Sequence, residues 1–119
     1  MNVNKTQFIA PRARTLKEKK EVKKETQATQ PVVVIDGWEY PLNKHIISMG
    51  RHIQNDIVLA NQGSSRFHCR IVRFRDIYIL QDLNSTNGTM YKDDLLYKPV
   101  RLNSGDAFYI ADTQVSVKF

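Results

Sequence analysis

The chain has 119 residues, 41% of them hydrophobic, and a formal net charge of +6. That length suits one domain of ordinary size. The lone cysteine, Cys69, excludes an internal disulfide, and with three histidines it cannot complete a usual structural zinc set. No apolar run approaches the roughly 18 residues of a membrane span. The N-terminus lacks the continuous apolar stretch of a secretory signal, so a reducing, cytoplasmic setting is the expectation.

The charge is unevenly placed. Residues 1–30 carry eight basic and three acidic side chains, a net of +5, whereas residues 31–119 carry ten and nine, a net of +1. Residues 1–30 also lack a periodic apolar face. Only Leu16 and Val22 within the Lys/Glu-rich stretch 16–25 could pack, so this segment reads as a basic, disordered tail. An excess confined to a tail is an electrostatic arm. It gives no reason to expect the near-neutral remainder to bind nucleic acid.

Order is predicted to begin at Pro31. Val32 to Ile35 is a β-branched run, and Asp36-Gly37 after it is a two-residue hairpin signal. Trp38 to Tyr40 then alternates as a return strand should. His45 to Met49 and Ile57 to Leu59 follow as short apolar bursts. Cys69 to Phe74 places Cys69, Ile71 and Arg73 on one face and Arg70, Val72 and Phe74 on the other. Ile77 to Leu80 returns after a turn at Arg75-Asp76. Asn87-Gly88 reads as a further hairpin turn. Val100 to Leu102, Ala107 to Ile110 and Val115 to Phe119 complete the series, with a turn at Ser104-Gly105-Asp106. Short strands at this spacing, with turn residues between them, point to an all-β sandwich or barrel.

The polar clusters between these strands carry the chemistry. Arg51 follows Gly50 at a strand end, where glycine permits close backbone approach. Its guanidinium offers a fork of donors that suits phosphate oxygens. Ser65 brings a hydroxyl, and Arg66 beside it brings charge and a backbone N–H. His68, three residues on, invites comparison with a nucleophile's base. No orienting carboxylate or oxyanion hole stands out, so the ring is expected to bond backbone groups and fix its loop. Asn84 to Thr89 is dense in side chains that bond neighbouring backbone and can grip a peptide. No paired acids, metal set or glycine-rich nucleotide loop appears. An enzyme is therefore not expected, and neither is a cofactor.

Taken in order, Gly50-Arg51, Asn55-Asp56-Ile57, Ser65-x-x-His68 and Asn87-Gly88, followed by Leu102 and Gly105-Asp106, resemble the forkhead-associated domain over residues 31–119. The resemblance implies an eleven-stranded β-sandwich of two twisted, mostly antiparallel sheets, with ligand loops gathered at one end. It implies recognition of phosphothreonine peptides downstream of a Ser/Thr kinase. Arg51 and Ser65, with Arg66 nearby, would meet the phosphate; Thr86 and Asn87 would hold the peptide backbone; Gly50, His68 and Gly88 would shape the loops. Ala111 stands where glycine is common and Cys69 where alanine is common. Both are expected to lie far from the contacts. An alternative on the same fold is an assembly protein that uses a face of the sandwich.

The resemblance also suggests a regulatory role for the tail, in which a phosphorylated threonine folds back onto its own domain. The candidates are Thr6, Thr15 and Thr26. Thr29 is too near the domain to reach across it. A chain spans at most about 3.4 Å per residue. Thr26 therefore reaches about 17 Å from Pro31 and Thr15 about 54 Å, against a domain about 30 Å across. Binding in cis favours Thr15 or Thr6, and binding in trans readmits Thr26.

Overall fold

The computed structural model describes residues 30–119. Thr6, Thr15 and Thr26, and the expected disorder of the tail, lie outside the described residues. Eleven strands form two sheets, as the resemblance implies. The first sheet holds β1 (Val32–Ile35), β2 (Trp38–Pro41), β7 (Thr89–Tyr91), β8 (Asp94–Leu95), β10 (Ala107–Ile110) and β11 (Thr113–Lys118), in the order β2-β1-β11-β10-β7-β8. The second holds β3 (Ile46–Gly50), β4 (Ile57–Val58), β5 (Cys69–Phe74), β6 (Ile77–Asp82) and β9 (Val100–Leu102), in the order β4-β3-β5-β6-β9. All pairs are antiparallel except β3 with β4.

Local chemistry accounts for the hairpins. Asp36 (φ 52°) and Gly37 (φ 82°) both lie in the left-handed region, as the tight β1–β2 turn requires. Arg75 (φ 58°) turns β5 into β6, with Phe74 opposite Ile77. The parallel β3–β4 pair has only six residues between its strands, and a carboxylate holds it closed. Asp56 accepts from the Ser48 N–H (2.9 Å) and hydroxyl (3.2 Å), while its own N–H donates to Ser48 Oγ (3.1 Å). Lys44 pairs with the same carboxylate.

Two strands escaped the sequence reading. β7 and β8 are three and two residues long, too short to show alternation. Their turn uses Lys92 (φ 52°) and Asp93 (φ 69°), which carry no glycine signal. The expected hairpin at Asn87-Gly88 is not one. This segment carries the chain from β6 in one sheet to β7 in the other.

The core fills the space between the sheets. Val33, Ile35, Val115, Val117, Phe108 and Ile110 descend from the first sheet. Ile47, Met49, Ile71, Leu80 and Leu102 rise from the second, with Cys69 fully buried among them. Each alternates with an outward residue, so the period of two is what aligns the inner faces. Trp38 belongs to the edge strand β2 and is nearly half exposed. Phe108 is a fully buried, large core side chain. Phe108→Ala is expected to cost about 3–5 kcal/mol through lost burial and a residual cavity, measurable as a lowered urea midpoint with an unchanged slope.

Candidate functional site

Three loops meet at one end of the sandwich: residues 51–56 after β3, 59–68 before β5 and 83–88 after β6. A seam of backbone bonds joins the first two. The Arg51 N–H donates to the Ser65 carbonyl (3.0 Å) and the His52 N–H to the Arg66 carbonyl (3.0 Å). Gly50 stands against this seam, and a Cβ there would overlap the Arg66 carbonyl. Glycine is needed here for close approach. Asn55, buried, adds a second clasp: its Nδ2 donates to the carbonyls of Arg66 (2.7 Å) and His52 (2.8 Å).

His68 ties the second loop to the third. The ring is fully buried. The Ser65 N–H donates to Nδ1 (3.0 Å), so Nδ1 is an acceptor, and Nε2–H donates to the Gly88 carbonyl (3.0 Å). The neutral ring with its proton on Nε2 satisfies both partners. Asp82 Oδ1 lies 4.0 Å from Nε2, outside hydrogen-bond range. Burial pushes the His68 pKa below its usual 6.5, and it outweighs the Gly88 bond and the Asp82 charge, which act the other way. His68 precedes β5, so strand alternation does not reach it, and both it and Cys69 point inward.

Asp82 organises the third loop. It accepts from the Ser85 N–H (2.9 Å), the Ser85 hydroxyl (2.7 Å) and the Thr89 hydroxyl (2.7 Å). Desolvation works to raise its pKa, yet these donors prevail and hold the carboxyl below the ordinary range. Ser85 Oγ in turn accepts from the Gly88 N–H (3.0 Å). Gly88 has φ 84°, and a Cβ on it would press within 2.6 Å of Leu95. The sequence reading gave Asp82 no role. The signal was present in the Asp82-x-x-Ser85 spacing, which is that of a side chain capping a turn.

Between the loops lies an open depression of about 310 Å³ lined by Arg51, Ser65, Arg66, Phe67, Asn84 and Thr86. The Arg51 Nε donates to the Ser64 carbonyl (2.6 Å), which fixes the guanidinium plane. Ser65 Oγ accepts from the Thr86 N–H (2.9 Å), leaving its own proton available to a ligand. Gly50, His68 and Gly88 lie behind this surface. Asn87 is exposed beside the depression, and its Nδ2 donates to the Gly63 carbonyl (3.0 Å). Asn84 (φ 59°), which opens the cluster expected to grip a peptide, lines the depression, and so does Phe67, which stacks on His52 with centroids 5.0 Å apart and has no expected role. An aromatic beside a basic residue has no distinctive pattern in a single sequence.

One expectation needs correcting. Ala111 is not remote from this cluster, because a Cβ built at Gly63 would come within 2.6 Å of its methyl group. Gly63 is the residue that Asn87 anchors to. Ala111 itself has φ 55°, which accounts for glycine being common at such a position.

Fold and loops define a β-sandwich with a polar, arginine-lined depression at one end. Residues 47–111 match the FHA domain family. The chain belongs to the forkhead-associated, or FHA, domain family. The transcriptional regulatory protein EmbR of Mycobacterium tuberculosis is 37% identical over 79 residues, covering 66% of this chain and 20% of EmbR. The human proliferation marker protein Ki-67 is 35% identical over 78 residues, covering 66% of this chain and 2% of Ki-67. The chain thus spans only a small part of the curated relatives it matches. Among solved structures, M. tuberculosis EmbR in complex with a low-affinity phosphopeptide superposes with a TM-score of 0.72 at 32% identity, covering 77% of this chain and 25% of that one. A structure from work on phosphothreonine-dependent FHA domain interactions gives 0.71 at 28% identity, covering 76% and 97%. Among the described residues, no helix is long and apolar enough to cross a membrane.

Two measurements test this geometry. Gly50→Ala should destabilise the protein by more than about 1 kcal/mol, because the new methyl meets backbone carbonyl that cannot swing aside. Thermal unfolding reads this. The His68 pKa is lower in the folded than in the unfolded chain, so unfolding takes up protons as pH falls. The neutral ring's contribution is complete above pH 6.5 and shrinks as pH falls below that value. The urea midpoint should decline over that interval while the ring nitrogens, followed by NMR, stay neutral at pH values where an unperturbed imidazole has begun to protonate.

Proposed function

We propose that the chain is a phosphothreonine-peptide-binding module that works in Ser/Thr-kinase-dependent signalling or assembly, and is not itself an enzyme. The observation that carries this reading is the shared depression: Arg51 and Ser65, 14 positions apart, line it together with Arg66 and Thr86. A phosphothreonine brings about −1.5 to −2 charges and three acceptor oxygens. Arg51 supplies charge-assisted donors, Ser65 a hydroxyl proton and Arg66 further charge. Thr86 and Asn87 are assigned to the peptide backbone, with Gly50, His68 and Gly88 holding the loops. The phosphopeptide in the EmbR complex supports phosphopeptide binding by this fold, and the arrival of the depression's donors on already tethered loops supports the assignment of these residues.

The depression is open, so water screens the contact. Affinity near micromolar is expected, about −8 kcal/mol. Arg51→Ala should weaken phosphopeptide binding by about 1.5–3 kcal/mol, roughly a 10- to 150-fold rise in Kd by calorimetry, with thermal stability nearly intact. Equal affinity in mutant and wild type would remove the assignment.

Regulation by the tail is the finer part of this reading. In the register of the first sheet, Val32 lies opposite Lys118, and Thr113 lies opposite Ile110, which pairs with Thr89 beside the loops. Residue 32 is therefore at the end of the sandwich away from the depression. The longest dimension of the described residues is 39 Å. Thr26, at about 17 Å of reach, cannot cross that length, whereas Thr15, at about 54 Å, and Thr6 can. Phosphorylating the tail in vitro should shift the amide resonances of Arg51 and Ser65 in the 15N spectrum of a dilute sample. Unmoved resonances would remove self-regulation and leave peptide binding in trans standing.

A further inference from the structure

The outer face of the second sheet has a composition that the phosphate site does not explain. Side chains opposite one another in the ladder share a face. Ile46 is opposite Val72, Val72 opposite Ile79 and Ile79 opposite Arg101, which makes an apolar row across four strands ending in a guanidinium. Phe74 faces Ile77 in the next outward row, and Arg70 faces Gln81 on the other side. Phe74 is 63% exposed and Ile46 44%. An antiparallel sheet facing water normally turns polar residues outward. Here five outward residues of β3, β5 and β6 are branched apolar or aromatic side chains: Ile46, Val72, Phe74, Ile77 and Ile79.

The charged side chains that these four strands themselves turn outward are both arginines. Arg70 and Arg101 project from this face, and Arg75 lies over the Phe74 ring at 5.3 Å. No carboxylate takes an outward position on these strands. Asp56, near Ser48, is already paired with Lys44. Asp76 sits in the β5–β6 turn, beyond the strand ends. The opposite face of the molecule differs, since the first sheet turns both Glu39 and Lys118 outward.

We propose that this face is a second docking surface, and that its occupant is an acidic amphipathic segment of another protein, unphosphorylated and independent of the loop site. An apolar stripe would cover Ile46, Val72 and Ile79, with carboxylates reaching Arg70 and Arg101. Charge complementarity selects this occupant over the two nearest alternatives. Residues 1–30 carry a net +5 and would bring like charge to the arginines. A second copy laid face to face would set guanidinium against guanidinium, and like charges across a contact are selected against. Apolar burial supplies the affinity and the arginines set orientation.

The test is selection of short, unphosphorylated peptides displayed on phage against the full chain, followed by synthesis of the winners. The expected winners combine large apolar residues with Asp or Glu and shift the amide resonances of Ile46, Val72 and Ile79. Ile79→Glu and, separately, Arg101→Glu should weaken them about tenfold or more, while both variants keep phosphothreonine-peptide affinity and Arg101→Glu keeps the melting temperature. Arg101 is exposed, so its variant tests the surface even where Ile79→Glu disturbs folding. Winners without acids, winners that map to the loops or to the first sheet, no enrichment at all, or self-association through this face in sedimentation would each overturn the proposal. Loss of phosphopeptide binding in Arg51→Ala bears on the loop site alone, so the two readings fail separately.

Discussion

The loop end of this protein depends on one imidazole that water does not touch. His68 takes the Ser65 N–H on one nitrogen and gives its proton to the Gly88 carbonyl with the other. Its own backbone bonds to Met49 and Leu83. Three segments are therefore referred to this one residue, by ring and backbone together: the end of β3, the loop before β5 and the loop after β6. The partners demand one acceptor and one donor on opposite sides of a flat group of fixed size. Neutral histidine meets that demand, and a protonated ring does not. Burial keeps it neutral, so the same desolvation that expels water also selects the bonding pattern.

From this fixed point the arrangement of the depression follows. Ser65 cannot move far without breaking its N–H bond to His68, and its Oγ then meets the Thr86 N–H. Arg51 is bound by its amide to the Ser65 carbonyl and by Nε to the Ser64 carbonyl. Donors that face solvent are thus held by bonds that do not. Asn61 extends the tethering to the other sheet, with Nδ2 donating to Thr113 Oγ1 (2.6 Å) and the Ile110 carbonyl (3.3 Å). The ordering entropy is met during folding and not when a ligand arrives. An open, solvated site can therefore discriminate by geometry even where burial contributes little.

Most of the fold is legible in the residues because its strands alternate or its turns are marked. Asp36-Gly37 and the Cys69–Phe74 run are such cases. β7 and β8 were hidden because two- and three-residue strands carry no period, and because Lys92-Asp93 turns without glycine. Asn87-Gly88 has the dipeptide of a hairpin but a different task, which only the partition of strands between sheets reveals. At the site, polar residues that reach solvent were found from their chemistry: Arg51, Ser65 and Arg66. Those that act from behind were harder. Asp82 and Asn55 work through bonds to backbone, and which backbone comes near is a property of the fold. Phe67 enters the depression because the loops converge, which the sequence does not express locally.

The pairing of β1 with β11 also fixes how the molecule answers to force. Val32 and Lys118 are neighbours across one ladder, at the same end of the sandwich. Bonds in an antiparallel ladder run across the strands, so tension applied at these two points acts along each bond in turn, opening the ladder rung by rung like a zipper instead of loading all rungs together in shear. Drawn between two anchored partners by its ends, the sandwich would open from the end farthest from its three convergent loops, and those loops would be the last part to feel the load.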